Sequence, residues 1–504
     1  MRSRKALYNT VASLALQILT IICGFIIPRL IIGSFGSSVN GLVYSIKQFL
    51  GYITLLEFGV GGVVRAALYK PLANNNSDSV SAIVKATENF FKIIALIFIG
   101  YSLLVAGLFP FLVGNDFEWL FTFILVLIIG ASTFVQYYFG ITYQVLLQAD
   151  QKRYIASMLQ IFTTIINTVL VIILVEIGAG IHIVMLGSAI ILIIRPVMLN
   201  IYVKRKYKII SNCAADNMAI KQRWDGLGHH LAFFLHTHAD VVVLTLFTNI
   251  KEVSVYSVYY MVVSGIEKIM TTFSSGLEAG FGNIIAKNET VALDKNFRLY
   301  EFISFVVTTI LFTSVGLLVL PFVSVYISGI SDVNYYRPAF AYILTLAEAI
   351  YCIRLPYHVV TLAAGHFKQT RNGAFVEAFI NIILSVALVI LYGLIGVAIA
   401  TLCAMLFRTI QYVMYLSKHI LHRSMWQFAN RCIVNILAVI ITVTLAKFLP
   451  DMVIDNYVKW CIYACEITFI AVTVTLVINT MFYPQDLKNL LAVAGRLRKQ
   501  EPKD

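Results

Sequence analysis

The sequence predicts an all-α polytopic membrane protein built from two related halves, and two observations lead to this fold class. Hydrophobic residues make up 60% of the 504 residues, charged residues only 12%, and the mean hydropathy is +0.85. Because a soluble protein carries about 25% charged residues, most of this chain is expected to lie in lipid, where helices satisfy their own backbone hydrogen bonds. The second observation is an internal repeat in the apolar chain, which indicates duplication.

The apolar segments are long enough for fourteen transmembrane helices. A membrane-spanning helix needs roughly 20 apolar residues. On that rule the predicted spans cover residues 9–33, 39–65, 88–112, 119–147, 154–176, 181–203, 228–249, 252–286, 299–327, 338–364, 372–392, 394–418, 427–449 and 457–483. The basic residues predict their orientation: with both termini cytoplasmic, 28 of the 38 Lys and Arg residues lie on the cytoplasmic side and four lie outside. This bias also explains the net charge of +13 without a nucleic-acid partner.

Short motifs recur in the same order in the two halves. The pattern Leu-Glu-x-Gly-x-Gly occurs at 56–61 and again at 277–282. Weaker matches are Val-Tyr-Ser at 43–45 and 255–257, Ile-Asn at 166–167 and 380–381, and an Arg–Tyr pair at 195/202 and 408/415. Since six spans lie in each half, the repeat is predicted to be parallel.

The repeat predicts four segments along the chain. They are an N-lobe at 1–210 with helices 1–6, a cytoplasmic inter-lobe loop at 211–226, a C-lobe at 227–420 with helices 7–12, and a segment at 421–504 with two appended helices and a basic tail. The appended helices have no counterpart in the repeat.

Cations inside the spans are candidates for substrate binding, because a charge in lipid is costly unless it faces a polar cavity or a partner. Three arginines have a proline within two residues, and a kinked helix with an arginine suits a cavity that receives phosphate or carboxylate. The alternative is an accidental adjacency, since proline is common in membrane helices. The predicted cavity cations are Arg29, Arg195, Lys268, Arg354 and Arg408.

Acidic and histidine side chains form a second set of candidates, for gating or ion coupling. The repeated hexads place a glutamate beside glycines that permit bending or close packing, and a packed small-residue seam is the alternative. His236 and Asp240, one helical turn apart, suit proton handling or structural hydrogen bonding rather than metal binding. The predicted set is Glu57, Asp240, Glu267, Glu278, His236 and Glu348; Glu377 is placed near a span end and given no role.

The sequence predicts neither an enzyme nor a cofactor-dependent protein. The phosphate-binding pattern Gly-x-x-x-x-Gly-Lys-Ser/Thr does not occur, and no loop is long enough for a catalytic domain with its own core. The loop after the second span also lacks the charged motif of the major facilitator superfamily. We expect no cofactor, no metal site and no enzymatic activity.

Motifs along the whole chain resemble those of one transporter family. They are Pro-Arg-Leu at 28–30, Gly-Ser-Phe-Gly at 33–36, Asn-Gly-Leu at 40–42, Leu-Leu-Glu-Phe-Gly at 55–59, Tyr-Lys-Pro-Leu-Ala at 69–73, Gln-Ala-Asp at 148–150, Asp-Val-Val-Val-Leu at 240–244 and Val-Tyr-Ser at 255–257. With the 6+6+2 arrangement of spans, they resemble the polysaccharide repeat-unit flippases (Wzx-like) of the MATE-like, or MOP, superfamily. Arg29, Glu57, Asp240 and Glu278 fall within the matching motifs.

This resemblance implies a specific activity. A member would move an undecaprenyl-pyrophosphate-linked oligosaccharide to the outer leaflet of the bacterial cytoplasmic membrane by alternating access, for capsular or exopolysaccharide synthesis. The implied partners are the lipid-linked oligosaccharide, membrane lipids, a polysaccharide polymerase and glycosyltransferases, with a proton or sodium ion as the candidate coupling ion.

Three other functions fit part of the sequence. A teichoic-acid or other cell-wall precursor flippase would share the fold and a pyrophosphate lipid. A MATE-type drug exporter binds cations and should have an acid-dominated cavity, whereas buried bases and acids are nearly equal in number here. A membrane glycosyltransferase or polymerase should need a large external catalytic loop, which the sequence lacks.

Overall fold

The computed structural model describes residues 2–57, 60–210, 213–216, 218, 227–450 and 452–499, and all regular structure within them is helical. The helices are α1 (Arg2–Phe35), α2 (Ser37–Gly51), α3 (Val60–Ala73), α4 (Ser77–Val113), α5 (Trp119–Val135), α6 (Ile141–Ala149), α7 (Arg153–Glu176), α8 (Ile181–Lys206), α9 (Leu227–Phe247), α10 (Ile250–Ala286), α11 (Thr290–Tyr326), α12 (Pro338–Ala363), α13 (Phe367–Tyr392), α14 (Leu394–His419), α15 (Trp426–Ala446), α16 (Tyr457–Phe482) and α17 (Pro484–Lys499). The predicted all-α class is confirmed.

The helices account for the predicted membrane spans. Within the described residues, eleven helical segments are long and apolar enough to cross a membrane, and the bent pair Ser37–Leu56 and Val60–Ala73 makes a twelfth. The two other predicted spans correspond to α9, whose residues His238–Phe247 form a shorter apolar helix, and to the 37-residue α10. The chain is therefore a multi-pass membrane protein.

Two spans in the first half are interrupted. The second span passes from α2 into a 3₁₀ turn at Tyr52–Leu56 before α3 begins. The fourth span contains a π-helical turn at Gln136–Gly140 between α5 and α6. π-helical turns are rare and occur frequently at functional sites, because they rotate the side chains out of the regular α-helical register.

The second half contains two short connections between helices, each with a glycine in the left-handed conformation. Gly365, with φ of +77°, ends α12, and Gly393, with φ of +55°, separates α13 from α14. Both conformations favour glycine. A Cβ atom on Gly396 would lie 2.1 Å from the carbonyl oxygen of Leu388, so the start of α14 also requires glycine. Helix α14 packs against both α12 and α13.

The chain forms two compact units. Unit 1 comprises Met1–Ser257 with Gly329–Val333, and unit 2 comprises Val258–Ser328 with Asn334–Asp504. The start of α10 belongs to unit 1 because it packs on α2: the amide of Asn40 donates to the hydroxyls of Ser254 (2.8 Å) and Ser257 (3.1 Å). The lobe boundaries predicted from the repeat stay a prediction.

Candidate substrate-binding and gating residues

In unit 1, Arg195 lies at a small polar cavity. A cavity of about 90 Å³ is lined by polar side chains from three neighbouring segments: Ser132, Gln136, Gln144, Gln160, Thr163, Thr164 and Arg195. Arg195 donates from Nη2 to Oε1 of Gln144 over 2.8 Å, and its buried Nε has no hydrogen-bond partner among the described residues. No acidic side chain is among the described residues that line the cavity. The guanidinium is thus a half-buried cation with an unused donor.

The π-helical turn and the proline beside Arg195 shape this cavity. A Cβ atom on Gly140, the last residue of the turn, would lie 2.8 Å from Cβ of Pro196. Glycine therefore allows α8 to approach the π-turn closely enough for Arg195 to reach Gln144. The predicted association of arginine with proline acts here through packing between helices.

In unit 2, a carboxylate joins two of the predicted cavity cations. Oε1 of Glu377 lies 2.7 Å from Nη1 of Arg354, and its Oε2 lies 3.2 Å from Nε of Arg408. The three side chains come from α12, α13 and α14, and their residues are 6% (Arg354), 6% (Glu377) and 2% (Arg408) exposed. Sequence reasoning expects Glu377 near a span end and without a role, whereas the packing of α14 against both α12 and α13 places it between the two arginines.

The two arginines of this triad have further partners. Arg408 donates to the carbonyl of Thr370 (3.0 Å), to the hydroxyl of Tyr412 (3.0 Å) and to the side chain of Gln411. The guanidinium of Arg354 lies 4.7 Å from the ring centroid of Tyr351, and its buried Nε has no hydrogen-bond partner among the described residues. The triad carries one net positive charge, and most donor groups of its two arginines already contact other groups of the protein. The role of Arg354 and Arg408 as substrate-binding cations stays a prediction.

The internal repeat shows how the two halves differ at this point. In the repeat predicted from the sequence, Arg195 corresponds to Arg408, and Asn167 corresponds to Asn381. Glu377 precedes Asn381 by four residues, and the residue at the same distance before Asn167 is Thr163. The arginine in unit 2 therefore has a carboxylate partner, whereas the arginine in unit 1 faces a threonine, glutamines and a cavity.

Three further predicted residues lie in unit 1. Arg29 is half-buried in α1, and Gly33, one turn later, leaves room for its guanidinium, since a Cβ atom there would lie 3.2 Å from Nη1. Glu57 ends the 3₁₀ turn and accepts a hydrogen bond from Tyr137 of the π-turn. Asp240 is 2% exposed and accepts from the hydroxyl of Tyr256 over 3.2 Å. The structure brings Glu57 to the π-turn.

The remaining predicted residues have different surroundings. Within α10, Lys268 and Glu278 are exposed, whereas the half-buried Glu267 interacts electrostatically with Lys268 and Arg354. Glu348 is buried in α12. The side chain of His236 lies outside the described residues. Among the residues that the structure does describe, no group of three or more His, Cys, Asp or Glu side chains could hold a metal ion.

Sequence reasoning missed a second buried ionic network in unit 2. Glu301, which is fully buried in α11, binds Nη2 of Arg423 (2.5 Å) and Nε of Arg431 (3.0 Å), and it accepts a hydrogen bond from Tyr357. Arg431 also binds Asp486 at the start of α17 over 2.7 Å. In the sequence, these two arginines contribute only to the charge bias that predicts membrane orientation. No local signal pairs them with Glu301. The network attaches α15 and α17 to α11 and α12.

A large apolar cavity also lies in unit 2, among α11, α12, α14 and α15. Its volume is about 600 Å³, and its described lining contains no charged residue. Ile353 and Thr409, which line it, are the sequence neighbours of Arg354 and Arg408. The cavity is therefore next to the helix turns that carry the triad.

Known structures share this architecture. The sequence matches no family model and no curated protein. An inward closed structure of the lipid II flippase MurJ superposes with a TM-score of 0.72 at 16% identity, over 94% of this chain and 98% of that chain. An inward-facing multidrug resistance MATE family transporter of the MOP superfamily gives 0.59 at 12% identity, over 81% and 98%. The MATE multidrug transporter DinF-BH gives 0.57 at 14% identity, over 82% and 95%. The chain thus has the fold of MurJ and of the MATE transporters of the MOP superfamily.

Proposed function

We propose that this protein is a flippase that moves undecaprenyl-pyrophosphate-linked oligosaccharide repeat units from the inner to the outer leaflet of the bacterial cytoplasmic membrane. The observation that carries the proposal is Arg195, a cation with an unused buried donor at a polar cavity, on the fold of a lipid flippase. The proposed lobes are 1–210 and 227–420, which alternate in opening to the two sides, and both termini are cytoplasmic.

The polar cavity suits one end of such a substrate. A guanidinium binds phosphate oxygens through two parallel hydrogen bonds, and these are stronger where water is excluded. The glutamines and threonines around Arg195 supply neutral donors for further phosphate or sugar oxygens. A cation exporter would need the opposite arrangement, with carboxylates in the cavity.

The apolar cavity in unit 2 suits the other end. An undecaprenyl chain consists of hydrocarbon, and each buried methylene contributes about 0.8 kcal/mol. A cavity of about 600 Å³ without charged lining residues can hold part of such a chain. Transport of such a lipid requires both a cationic site and an apolar site, and the Arg195 cavity and the apolar cavity of unit 2 meet these two requirements.

A flippase for a teichoic-acid or peptidoglycan-like precursor is the second candidate, and the comparison with MurJ favours it over a drug exporter. The alignment to MurJ covers 94% of the chain, so it must include most of α15–α17, which hold about 15% of the residues. The alignments to the MATE structures cover only 81–82%. Both lipid-linked substrates contain the diphosphate that the proposal assigns to Arg195.

Reconstitution into vesicles tests the function directly. Purified protein is placed in vesicles that contain fluorescent undecaprenyl-pyrophosphate-linked oligosaccharide, lipid II or a cationic dye, and a membrane-impermeant quencher reports the leaflet. We expect transfer of the oligosaccharide lipid, and transfer of lipid II alone would support the second candidate. Transport of the dye without either lipid would overturn both.

A matched pair of variants tests the part played by Arg195. Arg195→Gln should reduce transfer by about a hundredfold, because a charge-assisted bidentate contact contributes about 3 kcal/mol. Arg371→Gln removes an exposed arginine of α13 and should leave the rate within twofold of wild type. Equal rates for the two variants at equal protein levels would show that Arg195 does not bind the transported lipid.

A further inference from the structure

A second polar cavity in unit 1 has no part in the proposed transport site. Its volume is about 500 Å³, and it lies between the first half of α4, α6 and the end of α8. Its lining includes Lys85, Glu88, Lys92, Tyr143, Asn200 and Lys204. Tyr138 and Phe139 of the π-helical turn line this cavity, whereas Gln136 and Gly140 of the same turn line the Arg195 cavity. The two cavities therefore lie on different sides of the π-turn.

The charges of this cavity are unbalanced. Three lysines face one glutamate, and Glu88 is already engaged: it accepts from the hydroxyl of Tyr143 (2.7 Å) and lies 3.9 Å from Nζ of Lys92. The Lys92 ammonium also lies 5.5 Å from the ring centroid of Tyr138. Lys85 and Lys204 form no ion pair with any residue that the structure describes. Two ammonium groups are thus available to an anion.

Exposed apolar side chains lie in the cavity lining and elsewhere on the same helices. Phe139 and Ile210 both line the cavity and are 39% and 44% exposed. On α8, Ile201 follows Asn200 and is 48% exposed. On α4, Ile93 and Ile97 are 56% and 49% exposed. Exposed apolar side chains on transmembrane helices face lipid, and Phe139 and Ile210 belong to the same lining as the lysines.

We infer that this cavity binds the phosphate group of an anionic membrane phospholipid, with Lys85 and Lys204 as its cationic contacts. In the orientation of the proposed function, this end of α4 and α8 is cytoplasmic, and basic cavities between transmembrane helices at that surface hold lipid head groups, because the lysines neutralise the phosphate while the acyl chains stay against the apolar faces of the helices. Asn200 and Thr142 in the lining supply neutral donors. A lipid bound here touches the π-turn that also shapes the Arg195 cavity, so its occupancy can alter the transport rate.

Lipid titration of the purified full-length protein tests this site independently of transport. Native mass spectrometry measures the Kd for phosphatidylglycerol and for phosphatidylcholine. The variant carrying both Lys85→Gln and Lys204→Gln should bind phosphatidylglycerol about thirtyfold more weakly, since each lysine near the membrane surface contributes roughly a factor of five. The control carries Lys287→Gln and Lys368→Gln, two exposed lysines of unit 2, and should stay within twofold of wild type.

The outcomes separate the possible ligands. If the two double variants bind phosphatidylglycerol equally, the lipid site is wrong. If millimolar inorganic phosphate displaces phosphatidylglycerol from the wild type and binds the Lys85→Gln/Lys204→Gln variant more weakly, the cavity serves a soluble phosphate and the lipid assignment fails. A variant with arginine at both positions should retain binding, and the Lys85→Gln/Lys204→Gln variant should have the thermal unfolding temperature of the wild type. The titration measures lipid binding and does not depend on transport, so it tests the lipid site even if the proposed transport function is wrong.

Discussion

Replacing Glu377 by glutamine would remove the carboxylate that both Arg354 and Arg408 contact in the interior of unit 2. At an effective dielectric constant of about 20, the contacts of 2.7 Å and 3.2 Å correspond to gross attractions of roughly 6 and 5 kcal/mol. Desolvation of the three charges offsets much of this attraction. Breaking a buried pair from one side nevertheless costs about 3–5 kcal/mol, because it leaves an uncompensated buried charge, and here it leaves two.

We therefore expect Glu377→Gln to lower the free energy of unfolding by at least about 3 kcal/mol. The measurement is denaturant-induced unfolding of the purified protein in detergent, followed by tryptophan fluorescence. Glu278→Gln is the matched control: this glutamate is exposed, and its replacement should change stability by less than about 0.5 kcal/mol.

A double variant distinguishes a lost ion pair from a local packing defect. Combining Glu377→Gln with Arg354→Gln removes one of the two unpaired cations, so the double variant should lose less stability than the sum of the single variants. Strictly additive losses, or a Glu377→Gln variant as stable as Glu278→Gln, would show that the triad does not hold α12, α13 and α14 together.

Further predictions concern packing, the second ionic network and the driving force. Gly396→Ala should destabilise the protein by about 1–3 kcal/mol because its Cβ would meet the Leu388 carbonyl, whereas Gly280→Ala, with open space around it, should be neutral in the same unfolding assay. Glu301→Gln should unfold more easily by about 3 kcal/mol and expose α17 to protease, since Arg431 loses a buried partner; unchanged proteolysis would contradict this. A potential that is negative inside favours outward movement of an anion by about 2.3 kcal/mol per charge per 100 mV, so transfer in vesicles should follow the imposed potential without an ion gradient; complete dependence on a proton or sodium gradient would refute it.

The amino-acid sequence alone is enough to specify the helices and their membrane location. In lipid, a backbone group without an internal hydrogen bond costs several kcal/mol, so an apolar run of about 20 residues has hardly any alternative to a helix. Hydropathy therefore predicts segments that the structure shows as helices, and the interior charges mark Arg195, Arg354 and Arg408 as unusual. The repeat also identifies Arg195 and Arg408 as related positions.

Which of these charges are balanced depends on the packing of the helices against one another. Glu377 meets Arg354 and Arg408 because α14 packs against both α12 and α13, and Glu301 meets Arg431 across 130 residues of chain. Hydropathy and spacing describe each helix separately and contain no information on which side chains face one another across helices. The difference between Arg408, which binds Glu377, and Arg195, which lies at a polar cavity, depends on those contacts.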